Sequence, residues 1–319
     1  MEYDWERTIP FLKLDIKKVG KLFEGILDEK DIVKLIPINE GCRTTNYIVE
    51  TWDKKYSLKI FASDDDSYNR EYKLLNMLRE KISVQKIYKI STDDIIDGKK
   101  YIIYEYINGI TLGQALKNGY ILEESFVREV ARALGEIHKF KFNKVGFLDE
   151  NLNVIKELPS ISKCYELFIN EKVRERLGND TVTNIINIAK ENEDDLLKLD
   201  YSPRLVHGDF QGTNILINKG KLAGILDWEF VMAGHPLGDI GQFFRYNEHF
   251  NNYLIKVFEN EYNKSSDYEL MNNWYKISRL RDLINLIQLI SADEEMPNKY
   301  KNIKDIIIRD IRYLYKVVN

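Results

Sequence analysis

The sequence predicts an α+β chain in two lobes, strands first and helices second. Three observations carry that prediction. Short β-like runs crowd about the first hundred of the 319 residues. After Gly109 the apolar residues recur at spacings of three and four, the helical period. From Asp239 onward the pattern is almost wholly helical. Strands followed by helices, rather than alternating with them, define the α+β order. The boundary is expected near Asn108-Gly109, giving lobes 1–107 and 108–319.

The expected strands are Ile32–Ile38, Tyr47–Thr51, Tyr56–Phe61, Val84–Ile90 and Tyr101–Tyr106, each bounded by polar or Gly/Asp-containing turns. Between the third and fourth, Ser67–Glu80 reads as a helix with Tyr72, Leu75 and Leu78 on one stripe. Glu123–Phe142 spaces Phe126, Val127, Val130, Leu134, Ile137 and His138 as an amphipathic helix does. Further helices are expected at Lys163–Leu177 and Thr183–Leu199. The stretch Arg204–Asp227 instead alternates apolar pairs with polar turns, and its end suits a hairpin of Asn214–Ile217 with Leu222–Asp227.

Composition narrows the class. Hydrophobic residues at 44% and charged residues at 31% describe a globular chain able to bury cores. A net charge of −4 without a long Lys/Arg block leaves no electrostatic footprint for nucleic acid. No apolar run of about 18 residues is present, so no membrane span is expected. The polar start, Met1 to Arg7, does not read as a secretory signal. Cys42 and Cys164 are far apart and lack a C-x-x-C partner, which suits a reducing cytoplasm. The four histidines are scattered and form no zinc pattern with them.

The densest signal is Val206-His207-Gly208-Asp209-Phe210-Gln211-Gly212-Thr213-Asn214-Ile215, followed by Ile225-Leu226-Asp227-Trp228-Glu229. An isolated His-Gly-Asp is most often a tight turn. Here Asp209, Asn214 five residues later, a hairpin and a second aspartate coincide. Phosphoryl transfer needs a carboxylate to orient a hydroxyl and oxygen ligands to hold magnesium on phosphates. Asp209 suits the first task, and Asn214 with Asp227 suits the second.

This arrangement resembles the family of aminoglycoside phosphotransferases, choline kinases and related small-molecule kinases, which share the protein-kinase-like fold. The family's H-G-D-x-x-x-x-N motif is matched by His207, Gly208, Asp209 and Asn214, and its metal-binding aspartate by Asp227. Gly234-His235-Pro236-Leu237-Gly238-Asp239-Ile240 resembles a downstream G-x-P-x-x-D element whose aspartate is usually structural. The resemblance covers residues 30 to 290 or so. It implies a catalytic base at Asp209, magnesium on Asn214 and Asp227, ATP or GTP as donor, and a loop-organising His207.

The first lobe then offers the matching nucleotide parts. The loop from Ile38 to Tyr47 lies where a phosphate-covering loop belongs, although only Gly41 is present where other kinases carry several glycines. Gly41 and Asn46 resemble the family's reduced loop, and Thr44 and Thr45 add hydroxyl or amide donors. Without the resemblance a plain hairpin is an equal reading. No Walker A sequence occurs. Lys59 on the third strand is the expected phosphate contact, with Glu71 on the next helix as its ion-pair partner. Tyr101-Ile102-Ile103-Tyr104-Glu105-Tyr106-Ile107 resembles the hinge, where backbone groups of Glu105 and Ile107 are expected to read the base. Tyr104 either limits the depth of that pocket or is a plain core tyrosine.

The expected acceptor is a small hydroxylated molecule, an aminoglycoside-like antibiotic among the options. Cationic sugars need acidic walls, for which the sequence offers Asp149, Glu150, Asp282, Asp293, Glu294 and Glu295. Choline needs an aromatic cage, for which Trp228, Trp274 and several tyrosines are candidates. A catalytically silent nucleotide-binding pseudokinase is the alternative; filled positions at Lys59, Glu71, Asp209, Asn214 and Asp227 weigh against it. A protein kinase is disfavoured because H-R-D, D-F-G and A-P-E are lacking.

Overall fold

A computed structural model describes residues 5–39, 41–65 and 67–318, with side chains as far as residue 315. Met1–Asp4, Glu40, Asp66 and Asn319 lie outside the described residues, and with them one position of the glycine loop and most of the polar start.

A short helix, α1 (Ile16–Leu22), precedes the first sheet; the Asp15 carboxylate caps it by accepting from the Lys18 N–H. Then come β1 (Ile32–Ile38), β2 (Thr45–Thr51), β3 (Lys55–Ile60), α2 (Tyr68–Leu78), β4 (Ile87–Thr92) and β5 (Lys100–Glu105). The five strands pair antiparallel in the order β1-β2-β3-β5-β4. Alternation along β5 explains its unbroken apolar run. Tyr101 and Ile103 join a core with Val19, Leu22 and Phe23 on one face, whereas Ile102 and Tyr104 join Leu74, Leu75 and Leu78 on the other. A sheet covered on both faces needs a second covering element, and α1 supplies it.

The fourth predicted run is displaced. Its strand begins at Ile87, and Val84 instead bridges in parallel to Ile225 of the second lobe. The Ile225 N–H donates to the Ser83 carbonyl at 3.1 Å, so apolar residues there serve the junction between lobes.

The second lobe opens with β6 (Ile110–Thr111), α3 (Leu112–Lys117) and α4 (Glu124–Ile137). On α4, Phe126, Val127, Val130, Leu134 and Ile137 are fully buried, the face the spacing predicts. A small hairpin, β7 (Gly146–Leu148) and β8 (Val154–Glu157), leads to α5 (Ile161–Phe168), α6 (Glu171–Leu177), α7 (Asn179–Glu191) and α8 (Glu193–Lys198). Two predicted helices are thus each divided. Asn170 interrupts the first by accepting from the Val173 N–H as an N-cap, and Asn192 interrupts the second.

Next come β9 (Arg204–Val206), β10 (Ile215–Asn218), β11 (Lys221–Ile225) and β12 (Met232–Gly234). The β10–β11 hairpin pairs with β6, tying the catalytic stretch to the entry of the lobe. Four helices complete the chain: α9 (Leu237–Phe243), α10 (Asn252–Ser265), α11 (Trp274–Ile290) and α12 (Pro297–Val318). The arrangement is an antiparallel sheet lobe on a helical lobe, the protein-kinase-like architecture. No helix among the described residues is long and apolar enough to cross a membrane.

Candidate active site

The stretch between β9 and β10 is shaped by α9. Asp239 is buried, and its carboxylate accepts the His207 N–H at 2.7 Å and the Gly208 N–H at 2.9 Å. It also faces His138 Nε2 at 3.2 Å. Burial pushes this carboxyl upward, but His138 and the donors around it hold it below the usual carboxylate range. One turn along α9, the Gln242 amide accepts from the Phe210 N–H at 2.7 Å and donates to the Gly208 carbonyl at 2.9 Å. Two side chains at i and i+3 on one helix therefore fix three loop residues, His207, Gly208 and Phe210, with four hydrogen bonds.

Gly208 is required by this geometry. Its φ is +82°, and a Cβ there would lie 2.2 Å from the Phe230 carbonyl oxygen. His207 is an organiser. Its Nε2 faces the Leu226 carbonyl at 2.9 Å, and its Nδ1 faces the Asp209 N–H at 3.2 Å. A carbonyl only accepts and an N–H only donates, so the ring is neutral with its proton on Nε2. Burial lowers its pKa in the same sense. Trp228 packs against this ring with centroids 4.5 Å apart.

The loop brings Asp209 and Asn214 together. Asn214 Nδ2 donates to Asp209 Oδ2 at 2.8 Å and to the Asp209 carbonyl at 2.9 Å, which leaves the Asn214 amide oxygen as its unused acceptor. The Asn214 carbonyl receives the Leu226 N–H at 2.8 Å, placing Asp227 next in line. Asp227 adopts φ +61°, uncommon for a residue with a side chain and characteristic of strained functional positions.

Lys59 reaches this corner from the central strand β3. Its Nζ lies 2.7 Å from Asp227 Oδ1 and 3.0 Å from Glu229 Oε2. Burial pulls the ammonium pKa down, and Asp227, Glu229 and Glu71 more than reverse it. Glu71 is buried on α2, yet among the described residues the ion pairs of Lys59 are with Asp227 and Glu229 instead. Among the described residues Glu71 Oε2 has no hydrogen-bond partner, and the Tyr104 hydroxyl faces this carboxyl without completing a bond of ordinary geometry. Three carboxyl groups thus surround one lysine. Burial and the charge of Asp227 push Glu229 up to about 7, whereas Lys59 holds Asp227 below its ordinary value against burial.

The remaining predicted positions are placed as follows. Gly41 has φ +99°, a conformation that favours glycine. Thr44 and Thr45 are buried, and both hydroxyls already accept within the lobe, from Asn46 Nδ2 and the Leu12 N–H respectively. Glu105 ends β5; its N–H donates to the Lys86 carbonyl, and its carbonyl accepts from Gln85 Nε2. Ile107 lies against Gly224, where an added Cβ would meet its Cδ1 at 2.7 Å. Three acceptor-site candidates are displaced. Asp282 is fully buried in a two-point pair with Arg245, at 2.7 and 2.9 Å, so it is no open acidic wall. Trp228 and Trp274 are core residues and cannot form a surface cage.

Glu229, Gln242 and Arg245 were not singled out by sequence reasoning. Arg245 Nη1 donates to Gln211 Oε1 at 2.6 Å, two residues from Asp209. Glu229 carried a signal in its position two residues beyond Asp227, and Gln242 in its position one helical turn beyond Asp239.

A lysine on a sheet lobe, facing an aspartate that follows an Asp–x4–Asn loop on a helical lobe, defines a kinase-like phosphotransferase. The model of the family described as phosphotransferase enzyme family (APH) matches residues 34–271, and the chain belongs to that family. No curated protein matches it in sequence. Among solved structures, aminoglycoside phosphotransferase APH(4)-Ia superposes with a TM-score of 0.67 at 14% identity, covering 93% of this chain and 99% of its own. A thermostable mutant of that enzyme, in ternary complex with ADP and hygromycin B, gives 0.65 at 16%, covering 92% and 98%. The GDP and kanamycin complex of APH(2″)-IIIa gives 0.68 at 16%, covering 94% and 96%. At such identities the likeness is one of fold. With the family it makes the chain a small-molecule phosphotransferase acting on a hydroxyl group.

Proposed function

We propose that the chain is a magnesium-dependent kinase that moves the γ-phosphoryl group of ATP or GTP to a hydroxyl of a small, aminoglycoside-like acceptor. The convergence of Asp209, Asn214, Asp227 and Lys59 in one corner carries this reading. Asp209 takes the acceptor's proton, the acceptor oxygen bonds to the γ-phosphorus, and the bond to the β-phosphate oxygen breaks to release ADP or GDP. Lys59 holds phosphate oxygens. Gly41, Thr44 and Thr45 supply the loop over them, Glu71 is the ion-pair partner of Lys59 in the nucleotide-bound state, and Glu105 and Ile107 meet the base through backbone groups. The division into lobes 1–107 and 108–319 is proposed on the same ground.

The donor set suits magnesium. One carboxylate, Asp227, and one amide oxygen, Asn214, are hard oxygen ligands, and the carboxyl excess around Lys59 favours a further cation. Among the described residues no three His, Cys, Asp or Glu side chains form a ready-made metal cluster, so phosphates and water would complete the shell. Magnesium bound there neutralises phosphate charge. The neighbours' complexes with hygromycin B and kanamycin make aminoglycosides the first acceptors to test. The experiment is a nucleoside diphosphate release screen over aminoglycosides, other antibiotics and hydroxylated metabolites, with ATP and with GTP. Release above the acceptor-free rate, dependent on magnesium, supports the reading; a product phosphorylated elsewhere than on a hydroxyl opposes it.

A further inference from the structure

The segment before α1 connects parts of the molecule that the mechanism treats separately. Arg7 Nη1 donates to the Gly41 carbonyl at 2.5 Å and Nη2 to the Thr44 carbonyl at 2.7 Å, while Nε donates to the Ile9 carbonyl at 3.2 Å. The N–H groups of Thr8 and Ile9 both point at the Cys42 carbonyl, at 3.0 and 3.3 Å. Four hydrogen bonds therefore bind residues 7–9 to the β1–β2 loop, and the fifth, from Arg7 to Ile9, braces the segment itself. One residue earlier the contacts change lobe. The Glu6 carboxylate accepts the Asn298 N–H at 2.8 Å and the Lys299 N–H at 3.3 Å, in the first turn of α12. Beside it Lys299 Nζ lies 5.3 Å from the centroid of Trp5.

The far anchor is itself held. Arg176 of α6 donates to the carbonyls of Ile290 at 2.7 Å, Ala292 at 2.5 Å and Glu294 at 3.2 Å, and stacks 3.8 Å from the Tyr300 ring centroid. A continuous polar path runs from the glycine loop through residues 5–9 to α12 and α6. It joins the lobes away from the hinge, and it involves backbone groups of the loop rather than its side chains. Backbone anchoring fixes where the loop's own N–H groups can point.

We propose that residues 5–9 are a strap that sets the conformation of the glycine loop by tethering it to the helical lobe, with Arg7 and Glu6 as positioning residues. The inference rests on the reading of that loop as the phosphate cover for its effect on nucleotide, but not for its effect on the loop. Opening the lobes then requires either the Glu6 or the Arg7 end to release. Arg7 bonds to backbone groups of the loop and Glu6 to those of α12, so each acts through the loop.

The test uses the full chain and reads two quantities. Amide hydrogen exchange across residues 41–46 reports the loop, and titration with magnesium–ATP and magnesium–GTP reports nucleotide affinity. Glu6→Ala and Arg7→Ala are each expected to speed exchange at 41–46 and to weaken nucleotide binding about three- to tenfold, as loss of charge-assisted hydrogen bonds does. Glu6→Gln, which keeps one acceptor for the Asn298 N–H, should recover part of both. Because the two ends share one path, the double variant should be little worse than the worse single variant. Glu6 is at the surface, and an unaltered circular dichroism spectrum for Glu6→Ala separates the effect from misfolding. Wild-type exchange at 41–46 in a folded Glu6→Ala protein overturns the strap. Faster exchange with unchanged nucleotide affinity supports the strap and overturns the loop's assignment to phosphate.

Discussion

At the residue scale the site is a problem of charge in a small volume. Lys59 cannot neutralise Asp227, Glu229 and Glu71 together, and burial, with the charge of Asp227 added to it, displaces Glu229 upward. In the proposed function a magnesium ion would offset that excess of negative charge. Asp227→Ala should therefore abolish transfer and greatly weaken magnesium-dependent nucleotide binding. Turnover at the wild-type rate in ordinary magnesium would remove Asp227 from the site. The residues whose types alone carry chemistry, Asp209, Asn214, Asp227 and Lys59, were legible in the sequence because their spacing is tied to a loop and a hairpin. Glu229 was not, because a carboxylate two residues from a ligand has no distinctive type until its partner is known. The pairing of Lys59 was equally hidden: order along the chain suggests Glu71, whereas proximity in space gives Asp227 and Glu229.

At the element scale α9 is what makes a flexible loop into a site. Asp239 and Gln242 satisfy backbone groups of His207, Gly208 and Phe210, which no sheet or helix ladder serves. Gln242→Ala strands a buried donor and a buried acceptor, and about 1–3 kcal/mol of local stability should be lost. Its expected signature is a lower turnover number with nearly unchanged nucleotide affinity, measured alongside thermal unfolding. Unchanged turnover in a protein of lowered Tm would make Gln242 purely structural. The strands β1, β2, β3 and β5 and the helices α2 and α4 follow the sequence periodicity within a few residues. The misses have local causes. Side chains of Asn170 and Asn192 compete with helix continuation, and α1 and the β7–β8 hairpin are too short for a period to declare itself.

At the scale of the whole molecule, stability should depend on acid in a defined direction. His235 is buried with its Nε2 on the Tyr268 hydroxyl at 2.9 Å and its Nδ1 facing the Leu237 N–H at 3.1 Å. Burial first, with nearby positive charge, lowers its pKa from 6.5 to about 3. Between those values the unfolded chain binds a proton that the folded chain refuses, so stability rises with pH there. The contribution is complete above 6.5 and lost progressively as pH falls toward 3. Asp239, held below its ordinary value, adds a loss of the same sign at lower pH. His235→Gln should start lower, and the difference in melting temperature between wild type and variant should hold steady from about pH 8 to 6.5 and shrink below it. That difference isolates His235, because Glu229, raised to about 7, contributes to the whole profile with the opposite sign. A difference between wild type and variant that stays constant down to about pH 5 would contradict the assignment.

The account as a whole turns on Asp209, which the loop and the Asn214 amide hold beside the corner where Lys59 meets Asp227, and to which the proposed function gives the proton transfer. The direct measurement is single-turnover transfer of the γ-phosphoryl group to an acceptor found in the release screen, by wild type and Asp209→Asn, with nucleotide affinity read in parallel. The substitution keeps the shape and cannot take the proton, so transfer should fall by roughly 10²–10⁴ while affinity changes little. Transfer at the wild-type rate by Asp209→Asn, in a protein that binds nucleotide normally, would contradict the central claim.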